Sequence, residues 1–391
     1  MVMVVLLLIS LAGIALAMAS MSGSGFIESR GARESTRSFQ LAEAGLSEAW
    51  AILEHSEDDA LVLACSSPLN IGPDQVEVTV TLGSTSPVLA FDRIMLSAKS
   101  KDGQQTSVNV MTIGKKPNGR FRFALFGDQE IVIESNASVD SYNSSLGAYD
   151  PAAPGDLADV GSNGDIELNA NTEVYGNVVA GPTGVIHEAP SGTSVSREIS
   201  NATGLVTLDP IAVPSIVSSG SQTVSGPMTI GPGDIHFDSL LVQGGGELNI
   251  VGPARLVVDD LDVLSNASIN IDALAGEVQI HCLGDVKLRS NSEIVTRSNE
   301  ARDILLNVAW DPALASGFEF DLSSNSQFEG LIYAPESEVI VSRNFELFGA
   351  IYADSLVLES NARVHFDEKL LFDDGVPVEY FTVSWTTADI N

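Results

Sequence analysis

The sequence predicts a mainly β protein: a long N-terminal α-helix, membrane-spanning and then amphipathic, a small antiparallel β meander, and a C-terminal parallel β-helix. Three observations predict it. A nine-residue pattern, apolar-x-apolar-x-x-Asn-x-x-apolar, recurs seven times between Ile131 and Val364. Residues 2–21 are almost wholly apolar and run on into a stretch with helical spacing. The composition, 34 Gly and 6% aromatic in 391 residues, suits a long solenoid with a second element rather than one compact domain. The expected boundaries are 1–54 for the helix, 55–119 for the meander and linker, and 120–391 for the β-helix, with a Ser/Thr/Pro-rich excursion at 189–227.

Taken in order, the segment Val2 to Met21 carries no charge and is long enough to cross a bilayer as one helix. No Lys or Arg precedes Arg30, so the basic start of a secretory signal is missing, and a short basic leader is expected upstream of Met1. Beyond the apolar run, Phe39, Ala42, Leu46, Ala49 or Trp50, and Leu53 keep helical spacing. Arg33, Glu34, Arg37, Glu43 and Glu48 fall around the polar side. One unbroken helix is expected over 1–54.

From Gln75 to Ile113 the period shortens to that of strands. Val76, Val78 and Val80 alternate with polar residues, and Asp102-Gly103 reads as a hairpin turn between Ile94-Met-Leu-Ser-Ala-Lys and Val108-Asn-Val-Met-Thr-Ile. Gly114-Lys-Lys-Pro-Asn-Gly119 reads as a linker.

The repeat follows. Phe320-Asp-Leu-Ser-Ser-Asn325-Ser-Gln-Phe328, Val339-Ile-Val-Ser-Arg-Asn344-Phe-Glu-Leu347 and Leu356-Val-Leu-Glu-Ser-Asn361-Ala-Arg-Val364 are three successive copies. Others centre on Asn136, Asn171, Asn266 and Asn291. Alternation at the first three positions puts two side chains on one face of a strand. Asn tolerates the left-handed conformation of a sharp bend, so each asparagine is a corner. Gly330 and Gly349, two places after Phe328 and Leu347, signal a second turn. Such a coil hides its apolar side chains only by stacking on neighbours about 4.8 Å away. Antiparallel strands joined by Asn turns would give similar spacing, but not the same residue types in register. Tyr380-Phe-Thr-Val-Ser-Trp385 reads as a strand capping the solenoid.

The segment Ser38-Phe-Gln-Leu-Ala-Glu-Ala-Gly-Leu-Ser-Glu-Ala-Trp50 resembles the Gln-x-Ala-Glu-Ala-Gly stretch of the PilX-type, type IV pilin-like pilus-assembly family. Val139-Asp-Ser-Tyr-Asn-Ser, Gly330-Leu-Ile-Tyr-Ala-Pro335, Gly349-Ala-Ile-Tyr-Ala353 and Val383-Ser-Trp385 are similar to stretches of such proteins with a β-helical C-terminal domain. The resemblance implies a structural subunit of a type IV pilus or related secretion filament with an adhesive head. It would be anchored by one pass in the inner membrane, with its C-terminal domain outside the cytoplasm. Its partners would be other pilin-like subunits through the N-terminal helix, and inner-membrane lipid.

Net charge is −33, which repels nucleic-acid phosphates and excludes nucleic acid as a partner. Surface polysaccharide and calcium are the ligand classes left open. Asp259, Asp260 and Asp262 offer carboxylates for a membrane-anchored polysaccharide-active enzyme, the alternative function, but they lie along one ordinary strand. Asp150, Asp156, Asp159 and Asp165 lie in a Gly- and Pro-containing loop suited to calcium, without the regular spacing of a calcium loop. The five histidines, His55, His187, His236, His281 and His365, show no metal-ligand spacing. Cys65 and Cys282 are too few for a disulfide framework, and the alternation Val278, Ile280, Cys282 points to a buried thiol. No catalytic, cofactor or metal residue is assigned, and a non-enzymatic role is expected.

Overall fold

The structure, a computed structural model, describes residues 33–48, 50, 69–71, 74–82, 93–102, 105–116, 119–309, 320–322, 325–372 and 379–388. The chain forms two compact units, residues 1–117 with 374–391, and residues 118–373.

In the first unit residues 33–48 are helical. Ser38, Leu41, Ala42, Gly45 and Leu46 are its buried positions, the three- and four-residue spacing of one helix face. That face lies on an antiparallel sheet closely enough to dictate a glycine. A Cβ on Gly45 would stand 2.6 Å from Val76 Cγ1 and 3.5 Å from the Ala98 methyl. The Ser38 hydroxyl shares a 2.8 Å hydrogen bond with that of Ser107, and the Ser100 hydroxyl donates to the Ser38 carbonyl. The sheet order is Leu69–Ile71, Asp74–Leu82, Arg93–Asp102, Gln105–Lys116 and Glu379–Ala388, antiparallel throughout.

The expected fold class is corrected here. Among the described residues the helix is short, and no helix is long and apolar enough to cross a membrane. The segment 2–21 lies outside the described residues, so the long N-terminal helix and the single-pass membrane localisation have no support and are withdrawn. The C-terminal strand is a second correction. Glu379–Ala388 belongs to the antiparallel sheet of the first unit, where it pairs with Gln105–Lys116, Thr386 opposite Val110.

The second unit is a stack of parallel coils, the inner ones with three strand-bearing faces and the two end coils with fewer. On one face the strands run in space from Ile199–Asn201 through Val178–Ala180 and Val160–Ser162 to Leu125–Ile133. They continue through Glu346–Leu358, Gln327–Val341, Ile304–Val308, Val278–Cys282 and Ala254–Val263 to Gly233–Val242. Every pairing is parallel, so each coil completes its backbone hydrogen bonds only on its neighbours.

This spatial order is not chain order. The chain starts coiling in the middle of the stack at Leu125 and winds out to Ile199–Asn201. It then crosses to the far end at Gln222–Val224 and winds back, until the last coil lies against the first. Leu356 is level with Ile131, and Val364 with Val139. Residues 202–221 are the crossing strap, tied along the outside of the coils. Ala202 N donates to Ala180 O, Val206 N to Asn163 Oδ1 (2.8 Å), the Tyr333 hydroxyl to Asp209 O (2.6 Å), and Ser219 N to His236 O. The expected excursion at 189–227 is thus narrower, because Ser194–Val195 and Ile199–Asn201 on one side and Gln222–Val224 on the other are strands of the stack.

The corners explain why these residues coil. Asn136, Asn171, Asn266, Asn291, Asn325, Asn344 and Asn361 all have φ between 58° and 63°. In two coils a glycine takes the same place. Gly192 (φ 75°) stacks on Asn171, and the Gly245 (φ 78°) N–H donates to Asn266 O. At another corner Gly330 and Gly349 have φ of 152° and 143°, and a Cβ on Gly330 would lie 2.2 Å from Ile304 Cγ2. Inside, one ladder of apolar side chains runs Val174, Val139, Val364, Leu347, Phe328, Ile294, Ile269, Leu248, all at most 1% exposed. Fully burying each such side chain contributes about 1.5–3 kcal/mol.

Candidate functional site

The carboxylates singled out in the sequence do not converge. Asp262 pairs with Arg289 (3.2 Å), and Asp260 Oδ1 accepts the Asp285 N–H (3.0 Å). Asp259 stands 3.1 Å from His236. Each of the three is thus engaged by a different partner. The proposed calcium loop also comes apart. Asp150 Oδ1 accepts the Ala152 N–H, Asp156 pairs with Arg197 (3.1 Å), Asp159 accepts from Asn177, and Asp165 accepts the Val185 N–H (2.7 Å). Their oxygens are spent on separate backbone and side-chain donors.

The histidines fare differently. His55 lies outside the described residues, and His187 is exposed. His281 is buried with neither ring nitrogen hydrogen-bonded, and burial, helped by the Arg255 charge, lowers its pKa, so its ring is neutral. Cys282 beside it is fully buried, and burial pushes its thiol pKa up, which makes it inert.

His236 and Asp238 are two residues apart on Gly233–Val242, and alternation puts both on the outer face, with Phe237 between them pointing inward. The parallel register pairs Phe237 with Val258 and Ser239 with Asp260, which brings Asp259 level with Asp238 on the next coil. His236 Nδ1 is 2.9 Å from the carbonyl oxygen of Ile216 in the strap. The Ser218 hydroxyl, also in the strap, donates to Asp238 Oδ1 at 2.5 Å. One ligand atom from each of His236, Asp238 and Asp259 lies within 4.8 Å of the others, the only such group among the described residues. Sequence reasoning missed it because its parts come from two coils about twenty residues apart.

A second cluster sits where the last coil meets the first. His365 is level with Asp140 across the seam. Its Nδ1 lies 2.6 Å from Asp140 and its Nε2 3.2 Å from Glu346, while the Tyr149 ring covers it at 3.9 Å and donates its hydroxyl to Asp140. Burial opposes the charged ring, but the hydrogen bonds and charges of the two carboxylates outweigh it and raise the His365 pKa. Nearby, burial raises the Asp367 pKa to about 6, against the hydrogen bonds its carboxylate accepts. The His365 side chain is 2% exposed, and through Glu346 and Asp140 it ties together three successive coils.

A family model described as a domain of unknown function (DUF7305) matches residues 183–371, just under half of the chain. No curated protein matches the chain in sequence. Among solved structures, the competence-associated pilin ComZ from Thermus thermophilus is similar at 11% identity and a TM-score of 0.29, over 91% of this chain and 97% of that one. Neither match assigns a function to this chain.

Proposed function

We propose that the chain is a pilin-like structural subunit of a type IV pilus or related secretion filament, with the coiled unit as its adhesive display surface, and that it is not an enzyme. The observation that carries this is the helix at 33–48. The Ala-Glu-Ala-Gly stretch that resembles the PilX-type family lies on it, with Ala42 and Gly45 turned onto the sheet and Gln40, Ser47 and Glu48 left exposed. Small residues on the packed side let helix and sheet approach closely, and exposed Gln40, Ser47 and Glu48 are the surface offered to neighbouring subunits. The non-catalytic reading is supported by the separate engagement of Asp259, Asp260 and Asp262. Filaments sheared from cells that make the protein test the proposal. The chain is expected in the sheared fraction, and deleting its gene is expected to reduce filament number. A chain absent from sheared filaments, with filament number unchanged on deletion, contradicts it.

A further inference from the structure

We propose that His236, Asp238 and Asp259 bind a divalent transition-metal ion of the zinc class, which fastens the far end of the 202–221 strap to the stack. A backbone carbonyl only accepts, so the 2.9 Å contact with Ile216 O puts the proton of His236 on Nδ1. The other nitrogen, Nε2, thereby faces Asp259 Oδ1, where a metal ion would take the place of the proton the two share. A ligating histidine whose second nitrogen donates to a backbone carbonyl is the arrangement that fixes tautomer and ring orientation at metal sites. The Ser218 hydroxyl does the equivalent for Asp238.

The donor set and its spacing agree with the ion. With bonds of about 2.0 Å, adjacent ligand atoms of a tetrahedral site stand about 3.3 Å apart; His236 Nε2 and Asp259 Oδ1 are 3.1 Å apart. One imidazole and two carboxylates are three protein ligands, and the exposure of Asp238 leaves a fourth position to water. Calcium takes six to eight oxygens and has no use for the imidazole. Charge favours the ion too, because Asp238 and Asp259 are stacked like charges in a chain of net charge −33. The nearest arginine on these strands, Arg255, is committed to Asp234 at 2.8 Å. The strap supplies the outer partners at Ile216 and Ser218, so an ion here would fix it at the end opposite its start.

Titration of the full-length chain with zinc chloride by calorimetry tests this. One zinc per chain is expected, undisplaced by millimolar calcium or magnesium. His236→Gln, Asp238→Asn and Asp259→Asn should each weaken binding at least tenfold, and Ser218→Ala, which only positions Asp238, about tenfold. Zinc should also raise the melting temperature of the wild type and slow proteolysis of the strap. Asp238→Asn alters an exposed side chain and should melt like wild type without metal, so it carries the test if His236→Gln destabilises the fold. Absence of zinc binding, displacement by calcium, or equal affinity in wild type and Asp238→Asn would show His236 and Asp259 to be an ion pair only.

Discussion

Asn344 shows at the scale of one residue what the repeat encodes. Its φ of 58° lies in the region that costs an ordinary L-residue roughly 1–2 kcal/mol. Asn344→Ala should therefore lower unfolding free energy by about 1–2 kcal/mol, and Asn344→Gly by less than about 1 kcal/mol, the extra chain entropy glycine loses on folding. Chemical denaturation of the two variants separates backbone strain from loss of the side chain. His365 makes a second prediction, in pH. Its pKa is raised from the usual 6.5, so its ion pairs stabilise fully below 6.5 and are lost as pH climbs through the higher folded value. Asp367 acts in the same direction, costing stability as pH rises from 3.8 to about 6. His281, whose lowered pKa acts in the opposite sense, is common to both chains, so the comparison is with His365→Gln, which should lose less melting temperature above pH 6.5 than the wild type. Parallel profiles for wild type and His365→Gln would contradict the charged seam.

At the scale of elements, what was legible in the sequence was what is decided locally. The left-handed corner is a demand on one residue, and Asn136 through Asn361 announce it wherever it occurs. The strands Ser194–Val195 and Ile199–Asn201 stayed hidden because two or three residues are too few to show alternation. The strap was visible as a Ser/Thr/Pro-rich break, but its route depends on bonds to Asn163, Tyr333 and His236 that no local pattern encodes. The candidate site was half legible for the same reason. The His236 and Asp238 alternation could have been read, whereas Asp259 needs the coil register and Ile216 needs the strap. Tyr333→Phe removes one strap bond, and should cost about 1 kcal/mol and speed proteolysis between 203 and 219. In the first unit, Gly45→Ala forces a methyl to within 2.6 Å of Val76 Cγ1 and should destabilise by about 1–3 kcal/mol, seen as a lower melting point.

At the scale of the whole coiled unit, the chain's path decides which strands are left at the ends. One end is Ile199–Asn201 and its coil; the other is Gln222–Val224 with Pro227–Ile230. Pro227 opens that end strand without an N–H to offer, which makes the edge a poorer template for further pairing. The chain termini of the unit need no cap, because the first and last coils satisfy each other at the Asp140–His365 seam. This middle-out order is the central claim, and paired cysteines test it most directly. In a Cys65→Ser background, with Cys282 buried, Ser138→Cys with Arg363→Cys should form a disulfide under mild oxidation, because those residues are level on adjacent coils. Stacking in chain order would instead bring the His187 and Thr223 coils together. A disulfide from His187→Cys with Thr223→Cys, and none from the 138–363 pair, would contradict the account.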